Sequence, residues 1–135
     1  MSNKSFQFTY TVRLDDLDYM GIVGNAAWLI LLERSRADLL TAIAYPMTRF
    51  FRERIGGVVA ELKVAYLRPA KMDDVINITI TAKDPTGSSG LLEYVATSPN
   101  GQTFIKAETR MVFVDSSGKP IQIPDQIRQA LFTES

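Results

Sequence analysis

Cysteine and histidine are both absent from the sequence, and their absence excludes whole classes of chemistry. A chain without cysteine has no disulfide, no thiolate nucleophile and no Cys–His catalytic pair. A chain without histidine has no Ser–His–Asp triad and no ordinary zinc site, so no metal centre is expected. Any catalysis must therefore use carboxylates, hydroxyls, amides and backbone groups.

The sequence also has no excess of either charge and no long apolar run. Fifteen lysines and arginines balance fifteen aspartates and glutamates, so no net field draws the chain to nucleic acid or to anionic lipid. The longest apolar run, residues 26–32, is far shorter than the roughly 20 residues that cross a bilayer. The N-terminal segment has no apolar signal-peptide core. We therefore expect a cytoplasmic protein that binds neither nucleic acid nor membranes.

The first part of the chain predicts one strand and one long helix. Residues 6–13 alternate apolar and polar side chains, with aromatic and β-branched content that is typical of a strand. An acidic turn segment follows, and Asn25, a residue favoured at helix N-caps, then opens a helix that runs to about Ile43. Residues 26–32 are apolar on every side of this helix, so we expect other elements to enclose them.

The remaining chain predicts an antiparallel meander of four strands. A stretch that mixes aromatics with arginines, residues 45–57, precedes it as a short helix or irregular excursion. The segments expected to form the four strands and a terminal helix are residues 58–68, 75–83, 91–98, 102–115 and 124–132. Two connections, DPTGSSG and SPNG, are short and built from turn residues, which makes the strands they join antiparallel neighbours.

These elements predict a single α+β domain over residues 1–135, in which an antiparallel sheet of about five strands wraps around one long buried helix. No internal repeat or low-complexity linker interrupts their order. An open sheet leaves edge strands, and edge strands are commonly paired with another subunit. A homo-oligomer is therefore expected.

Asp18 lies on a loop seven residues before Asn25, where the long helix is expected to begin. The first backbone N–H groups of a helix lack internal partners and can polarise a carbonyl oxygen. A thioester suits a site without histidine, because its leaving group, whose thiol has a pKa of about 8.5, needs little acid assistance. Asp18 would either activate water as a general base or attack the carbonyl directly, and the sequence leaves both routes open.

The segment VRLDDLDYMGIVGNAAWLILLERSR resembles the N-terminal signature of the 4-hydroxybenzoyl-CoA thioesterase group of hotdog-fold proteins. The later YLRPAKMDDVINI is similar to the family's second strand, its proline-containing turn and the opening of its third strand, so the resemblance covers essentially the whole chain. It implies a hotdog fold that hydrolyses the thioester of an acyl-CoA, or of an acyl carrier protein, without a metal or organic cofactor. It also implies a homodimer or a homotetramer.

Carried over position by position, the resemblance implies that Asp18 is the catalytic carboxylate and that the backbone N–H of Asn25 polarises the thioester carbonyl. The positions expected to bind substrate are Gly21, Ile22, Val23, Gly24 and Trp28. Apolar residues at the spacing of Trp28 are more often plain core. Many relatives carry Tyr and His where this chain has Gly24 and Asn25, although another branch has Asn at the second position. The aromatic or aliphatic nature of the acyl group therefore stays open.

Glu33 is the rival catalytic carboxylate on the helix. It sits eight residues beyond Asn25, about 12 Å along the helix axis, which is too far to share that carbonyl. We expect Glu33 to pair with Arg36 or with buried backbone instead. The candidates to meet the phosphates of CoA, which the sequence does not rank, are Arg68, Lys71 and Lys106.

Two other functions compete with the hydrolase. A non-catalytic acyl-CoA-binding or regulatory hotdog module would keep the pocket but would need no activating carboxylate, so Asp18 favours the hydrolase. A hotdog dehydratase or hydratase ordinarily needs a histidine for proton transfer, and the chain has none. Hydrolysis of an acyl thioester is therefore the function that the sequence predicts.

Overall fold

The fold is an antiparallel sheet of five strands with helices packed on it, and the computed structural model describes residues 4–132. The strands are β1 (Ser5–Thr11), β2 (Ile55–Tyr66), β3 (Val75–Lys83), β4 (Ser89–Thr97) and β5 (Thr103–Asp115). The helices are α1 (Asn25–Ala42), α2 (Met47–Glu53) and α3 (Asp125–Ile127), and α3 continues into a π-helical turn at Arg128–Phe132. Within residues 4–132, no helix has the length and the apolar character to cross a bilayer. The predicted α+β class is confirmed.

The strands lie in the order β1-β3-β4-β5-β2, and every neighbouring pair is antiparallel. All of the predicted strands are present, with small differences at their ends. The predicted meander is wrong at one connection, because β2 pairs with β5 whereas β3 pairs with β1. The segment between β2 and β3, LRPAKMDD, contains proline and is too long for a tight hairpin, so it carries the chain across the sheet. As a result, β1 and β2 are the two edges.

The core lies between α1 and one face of the sheet. On β3, Ile76, Ile78 and Ile80 are fully buried and alternate with half-buried residues, as the period-two pattern predicts. The α1 side chains that join this core are Trp28, Leu31, Leu32 and Leu39. Burial of each such side chain stabilises the fold by about 1.5–3 kcal/mol. The start of α1 is therefore held in a fixed position on the sheet.

One side of α1 stays open within the single chain. Ala26 is exposed and Ile30 is 55% exposed, so the prediction that residues 26–32 are enclosed on every side is wrong for one protomer. Successive helical residues point about 100° apart, and one layer of sheet can cover only one face of the helix. An apolar strip of α1 is thus left facing outward.

A polar cluster joins α2 to the C-terminal segment. The guanidinium of Arg49 lies 4.0 Å from the centre of the Tyr45 ring, and its Nη1 donates a hydrogen bond of 2.6 Å to Gln126. The amide of Gln126 in turn donates to the carbonyl of Ile43, just past α1. A hydrogen bond from Arg49 also lowers the pKa of the Glu53 carboxyl. These contacts fix the positions of α2 and α3 relative to the end of α1.

Candidate functional site

Asp18 begins a tight turn that leads to the long helix. The Asp18 N–H donates to the carbonyl of Ile22 at 2.8 Å, and the Gly21 N–H donates to the carbonyl of Asp18 at 3.0 Å. Gly21 has a φ of +76°, a conformation that side chains disfavour strongly. The role of Gly21 is therefore to allow the positive φ that this turn requires, which explains why the motif carries glycine there.

The residues after this turn are pinned to neighbouring backbone. The Val23 N–H donates to the carbonyl of Ala70 at 2.9 Å, and the Gly24 N–H donates to the carbonyl of Asp16 at 3.1 Å. Ile22 pairs with Lys71 as an isolated bridge. The loop thus has little freedom, and the beginning of α1 is placed at a set distance from Asp18.

Gly24, and not Asn25, is the N-cap of α1. Asn25 is the first helical residue, so the prediction of Asn25 as a capping residue is wrong. Its side chain is engaged elsewhere, because the Tyr66 hydroxyl at the end of β2 donates a hydrogen bond to its Oδ1. Gly24 offers no side chain to cap the helix, and the helical ladder begins with the Trp28 N–H donating to the carbonyl of Gly24 at 3.0 Å. The first N–H groups of α1 are therefore left for another acceptor.

The Asp18 side chain lies near this uncapped helix start. A Cβ placed on Gly24 would lie 3.4 Å from the Cβ of Asp18, so the two residues are neighbours in the fold. Asp18 is exposed, and its Oδ1 accepts a hydrogen bond of 2.8 Å from the N–H of Met20. Its Oδ2 accepts no hydrogen bond within residues 4–132. A carboxylate with a free oxygen thus stands beside the positive end of a helix, open to solvent.

The other predicted substrate contacts are distributed differently. Trp28 is 2% exposed and packs against Phe104, with the ring centres 6.1 Å apart. Val23 is also in the core, whereas Ile22 and Gly24 are half-buried. Trp28 and Val23 therefore hold the loop and the helix against the sheet, and their interpretation as substrate contacts stays a prediction.

Glu33 and Arg36 do not form the expected pair. Glu33 is exposed and has no ion pair or hydrogen bond to any side chain within residues 4–132. Arg36 instead donates a hydrogen bond of 3.3 Å to the hydroxyl of Tyr94, which also meets the Thr109 hydroxyl at 2.9 Å. Burial raises the pKa of the Tyr94 hydroxyl, which keeps it protonated and available to this network. Arg36 thus connects α1 to the sheet, and Glu33 takes no part in that connection.

An apolar cavity of about 480 Å³ opens beside the second half of α1. Its wall includes side chains from α1, α2, three strands and the C-terminal turn, such as Leu40, Phe50, Val58, Leu92, Phe113 and Phe132. The predicted site residues on the Asp18 loop and at the start of α1 do not line it. Sequence reasoning missed this cavity because its wall is assembled from residues far apart in the chain. It also missed the role of Tyr66, because only the tertiary fold brings the end of β2 to the start of α1.

The basic residues proposed for CoA lie at the same end of the sheet as Asp18. The bridge between Ile22 and Lys71 places Lys71 directly beside the loop that carries Asp18. Arg68 follows the end of β2, and Lys106 pairs with Ala65 near that end. Each of the three basic side chains is exposed. Lys71 is therefore the candidate that the fold favours first.

Several known proteins with similar sequences or folds are described as thioesterases. A family model described as the thioesterase-like superfamily matches residues 12–131. The acyl-CoA thioester hydrolase YbgC of Escherichia coli O6:H1 is 27% identical over 128 residues, covering 94% of this chain and 96% of that protein. The long-chain acyl-CoA thioesterase FadM of Escherichia coli K12 is 31% identical over 122 residues, covering 89% and 92%. A solved 1,4-dihydroxy-2-naphthoyl-CoA thioesterase from Synechocystis has a TM-score of 0.88 at 16% identity, covering 94% of this chain and 95% of that one.

Proposed function

Because the chain belongs to the thioesterase-like superfamily and is a hotdog-fold thioesterase, we propose that Asp18 and the backbone N–H of Asn25 together hydrolyse an acyl-CoA. The observation that carries this proposal is the closeness of Asp18 to Gly24, the N-cap of α1: a Cβ placed on Gly24 would lie 3.4 Å from the Cβ of Asp18. This closeness supports a carboxylate that acts beside the first helix amides. One acyl carbonyl can then meet both groups.

In the general-base route, the thioester oxygen points to the N–H of Asn25 and the carbonyl carbon lies near the Asp18 carboxylate. The carboxylate takes a proton from water while the water oxygen bonds to the carbonyl carbon. The amide and the helix end stabilise the oxyanion that forms. When the carbonyl re-forms, the C–S bond breaks and CoA leaves as a thiolate, which takes up the proton. The products are a carboxylic acid and CoA.

In the nucleophilic route, a carboxylate oxygen of Asp18 attacks the same carbonyl carbon. The C–S bond breaks, the CoA thiolate leaves with a proton from solvent, and a mixed anhydride remains on Asp18. Water then hydrolyses the anhydride and restores the carboxylate. Both routes use the same two groups in the same geometry, and both remain part of the proposal.

The edge strand β2 is the surface on which we expect a second copy of the chain. It has twelve residues, pairs with β5 alone among the strands described within residues 4–132, and is exposed over most of its length. Its exposed apolar side chains include Val58, Val59 and Leu62. An unpaired edge with apolar side chains is a template for pairing with another chain. We propose a homodimer through antiparallel pairing of β2 with β2, which a homotetramer would extend.

Pairing about a two-fold axis reverses β2 in the second copy. One end of β2 carries Tyr66, bonded to Asn25 at the start of α1. The other end carries Val58 and Val59 at the cavity. Reversal therefore brings the helix start of one protomer toward the cavity of the other, so that an acyl chain can run from Asp18 of one copy into the second.

Replacing Leu62 with lysine is expected to separate the two copies. Leu62 is 43% exposed on the edge strand and does not line the cavity, and an edge lysine opposes strand pairing. Light scattering should show a monomer, and the hydrolysis rate should fall at least about tenfold because the site is no longer completed. Phe51→Lys is the matched control, since Phe51 is 71% exposed and lies on α2 and not on the edge strand. A Leu62→Lys protein that remains an active dimer would contradict this interface.

The experiment that tests the proposed function is a free-thiol release assay on the parent protein with short, long and aromatic acyl-CoAs and with an acyl carrier protein thioester. We expect steady release of thiol from at least one acyl-CoA. Binding of acyl-CoA without any release would instead support the non-catalytic module. Release from the carrier protein thioester alone would keep the chemistry and change the substrate.

A further inference from the structure

We infer that the cavity beside α1 takes an unbranched aliphatic acyl chain and that Phe132 closes its inner end, which sets the longest chain that the enzyme accepts. This inference rests on the proposed thioesterase function and names its substrate class. Phe132 lies outside the motif around Asp18, and the proposed function assigns it no role.

The lining of the cavity suits a hydrocarbon. One end of the cavity is exposed and the other is buried, so a bound chain would enter at the exposed end. Its outer end has exposed residues, Glu33 and Val58, the second of which is 47% exposed. Its inner end has buried apolar residues, among them Leu92, Leu131 and Phe113. The two charged residues of the wall, Glu33 and the half-buried Arg36, are on α1. The buried apolar part of the wall would leave a polar group unpaired at a high cost. A chain that enters past Glu33 must therefore be apolar along its length.

The volume favours a long chain over a single aromatic ring. A methylene group takes up about as much space as a water molecule in the liquid, roughly 30 Å³, so a cavity of about 480 Å³ has room for a chain of roughly sixteen such groups. One aromatic ring would fill only a small part and would leave most of the wall without contacts. Met47 and Met111 also line the cavity, and their flexible side chains can adapt to a chain in more than one conformation.

Phe132 sits directly on the backbone of Gly90 at the inner end. A Cβ on Gly90 would lie 2.4 Å from the Cζ of Phe132, a separation that atoms cannot adopt. The absence of a side chain on Gly90 is therefore what makes room for the ring. The turn that carries Phe132 is held by Ile127 and Leu131, which are both buried in the core. Phe132 itself is half-buried, and this anchored turn holds its ring against Gly90 at the cavity wall.

The test is the chain-length profile of Phe132→Ala against saturated acyl-CoAs from octanoyl to eicosanoyl. The ring that is removed fills roughly three methylene-sized volumes, so the preferred chain should lengthen by about two to four carbons. For the first chain that is too long for the parent enzyme, kcat/KM should rise at least about tenfold. Phe51→Ala makes the same change at an exposed position outside the cavity, and its profile should match that of the parent.

Gly90→Ala is expected to shorten the cavity, whereas Phe132→Ala is expected to lengthen it. It provides a second test if Phe132→Ala does not fold. Its methyl group would lie 2.4 Å from the Phe132 Cζ, so the ring must shift. We expect the shifted ring to take up cavity space, so kcat/KM should fall for the longest chains while the shortest chains are hydrolysed as before. An active Phe132→Ala enzyme with the parent profile would overturn the inference, and so would a Gly90→Ala enzyme that slows equally on every chain. Neither result would contradict the proposed role of Asp18, which Asp18→Asn tests separately.

Discussion

Asp18→Asn should lower the turnover of acyl-CoA by about 100-fold or more and leave the fold intact. The amide has nearly the same shape as the carboxylate and can still accept the hydrogen bond of 2.8 Å from the Met20 N–H. It can neither take a proton from water nor attack a carbonyl, so both proposed routes lose their reacting group. Release of free thiol under saturating substrate measures the effect, and circular dichroism checks the fold.

Asp15→Asn is the matched control for this substitution. Asp15 is exposed and lies in the same acidic segment, within a single 3₁₀ turn at Leu14–Asp16. It carries the same charge, so its removal changes the local field without removing the proposed reacting group. Its rate should stay close to that of the parent. If Asp18→Asn were as active as Asp15→Asn, the catalytic carboxylate would lie elsewhere, and Glu33 would be the next residue to test.

Asn25→Pro should reduce turnover by about 100- to 1,000-fold, the usual effect of removing one oxyanion-stabilising donor. Proline has no backbone N–H, so the substitution removes the amide that is proposed to polarise the thioester. The helix should survive, because proline is favoured at the first helical position, which Asn25 occupies. Gly24 has φ −75° and ψ 163°, an extended conformation that a residue before proline readily adopts. The hydrolysis rate of acyl-CoA measures the loss of turnover, and the helical signal in circular dichroism checks that the helix is retained.

Asn25→Ala separates the amide from the side chain at the same position. It keeps the N–H and removes only the oxygen that accepts the Tyr66 hydroxyl. We expect its rate to stay within about threefold of the parent enzyme, since one exposed hydrogen bond contributes little. A large loss with alanine and a similar loss with proline would show that the side chain, and not the amide, is the essential group.

The secondary structure could be predicted from the sequence because it depends on local patterns. The alternation of Ile76, Ile78 and Ile80 with polar residues defines β3 without reference to the rest of the chain. The pairing of β2 with β5 could not be predicted in the same way. It depends on the long connection before β3, whose path is decided by tertiary packing and not by any turn signal.

The candidate site was only partly predictable for the same reason. Asp18 and Gly21 lie in one short segment, so a motif can identify them, and the +76° φ of Gly21 is a local requirement. The capping role of Gly24 was missed, because Asn25 is the better capping type and only the contact with Tyr66 shows where its side chain goes. The contact of Phe132 with Gly90 joins two distant parts of the chain. No local sequence pattern predicts such a contact.

The opposed ends of β2 have a consequence for how the enzyme responds to dilution. If Asp18 of each copy acts together with the cavity of the other copy, an isolated protomer has a carboxylate and a cavity that cannot bind the same substrate. The specific activity per chain would then follow the law of mass action and decline as the protein is diluted below the dissociation constant of the dimer. Protein concentration would act as a control on catalysis without any effector.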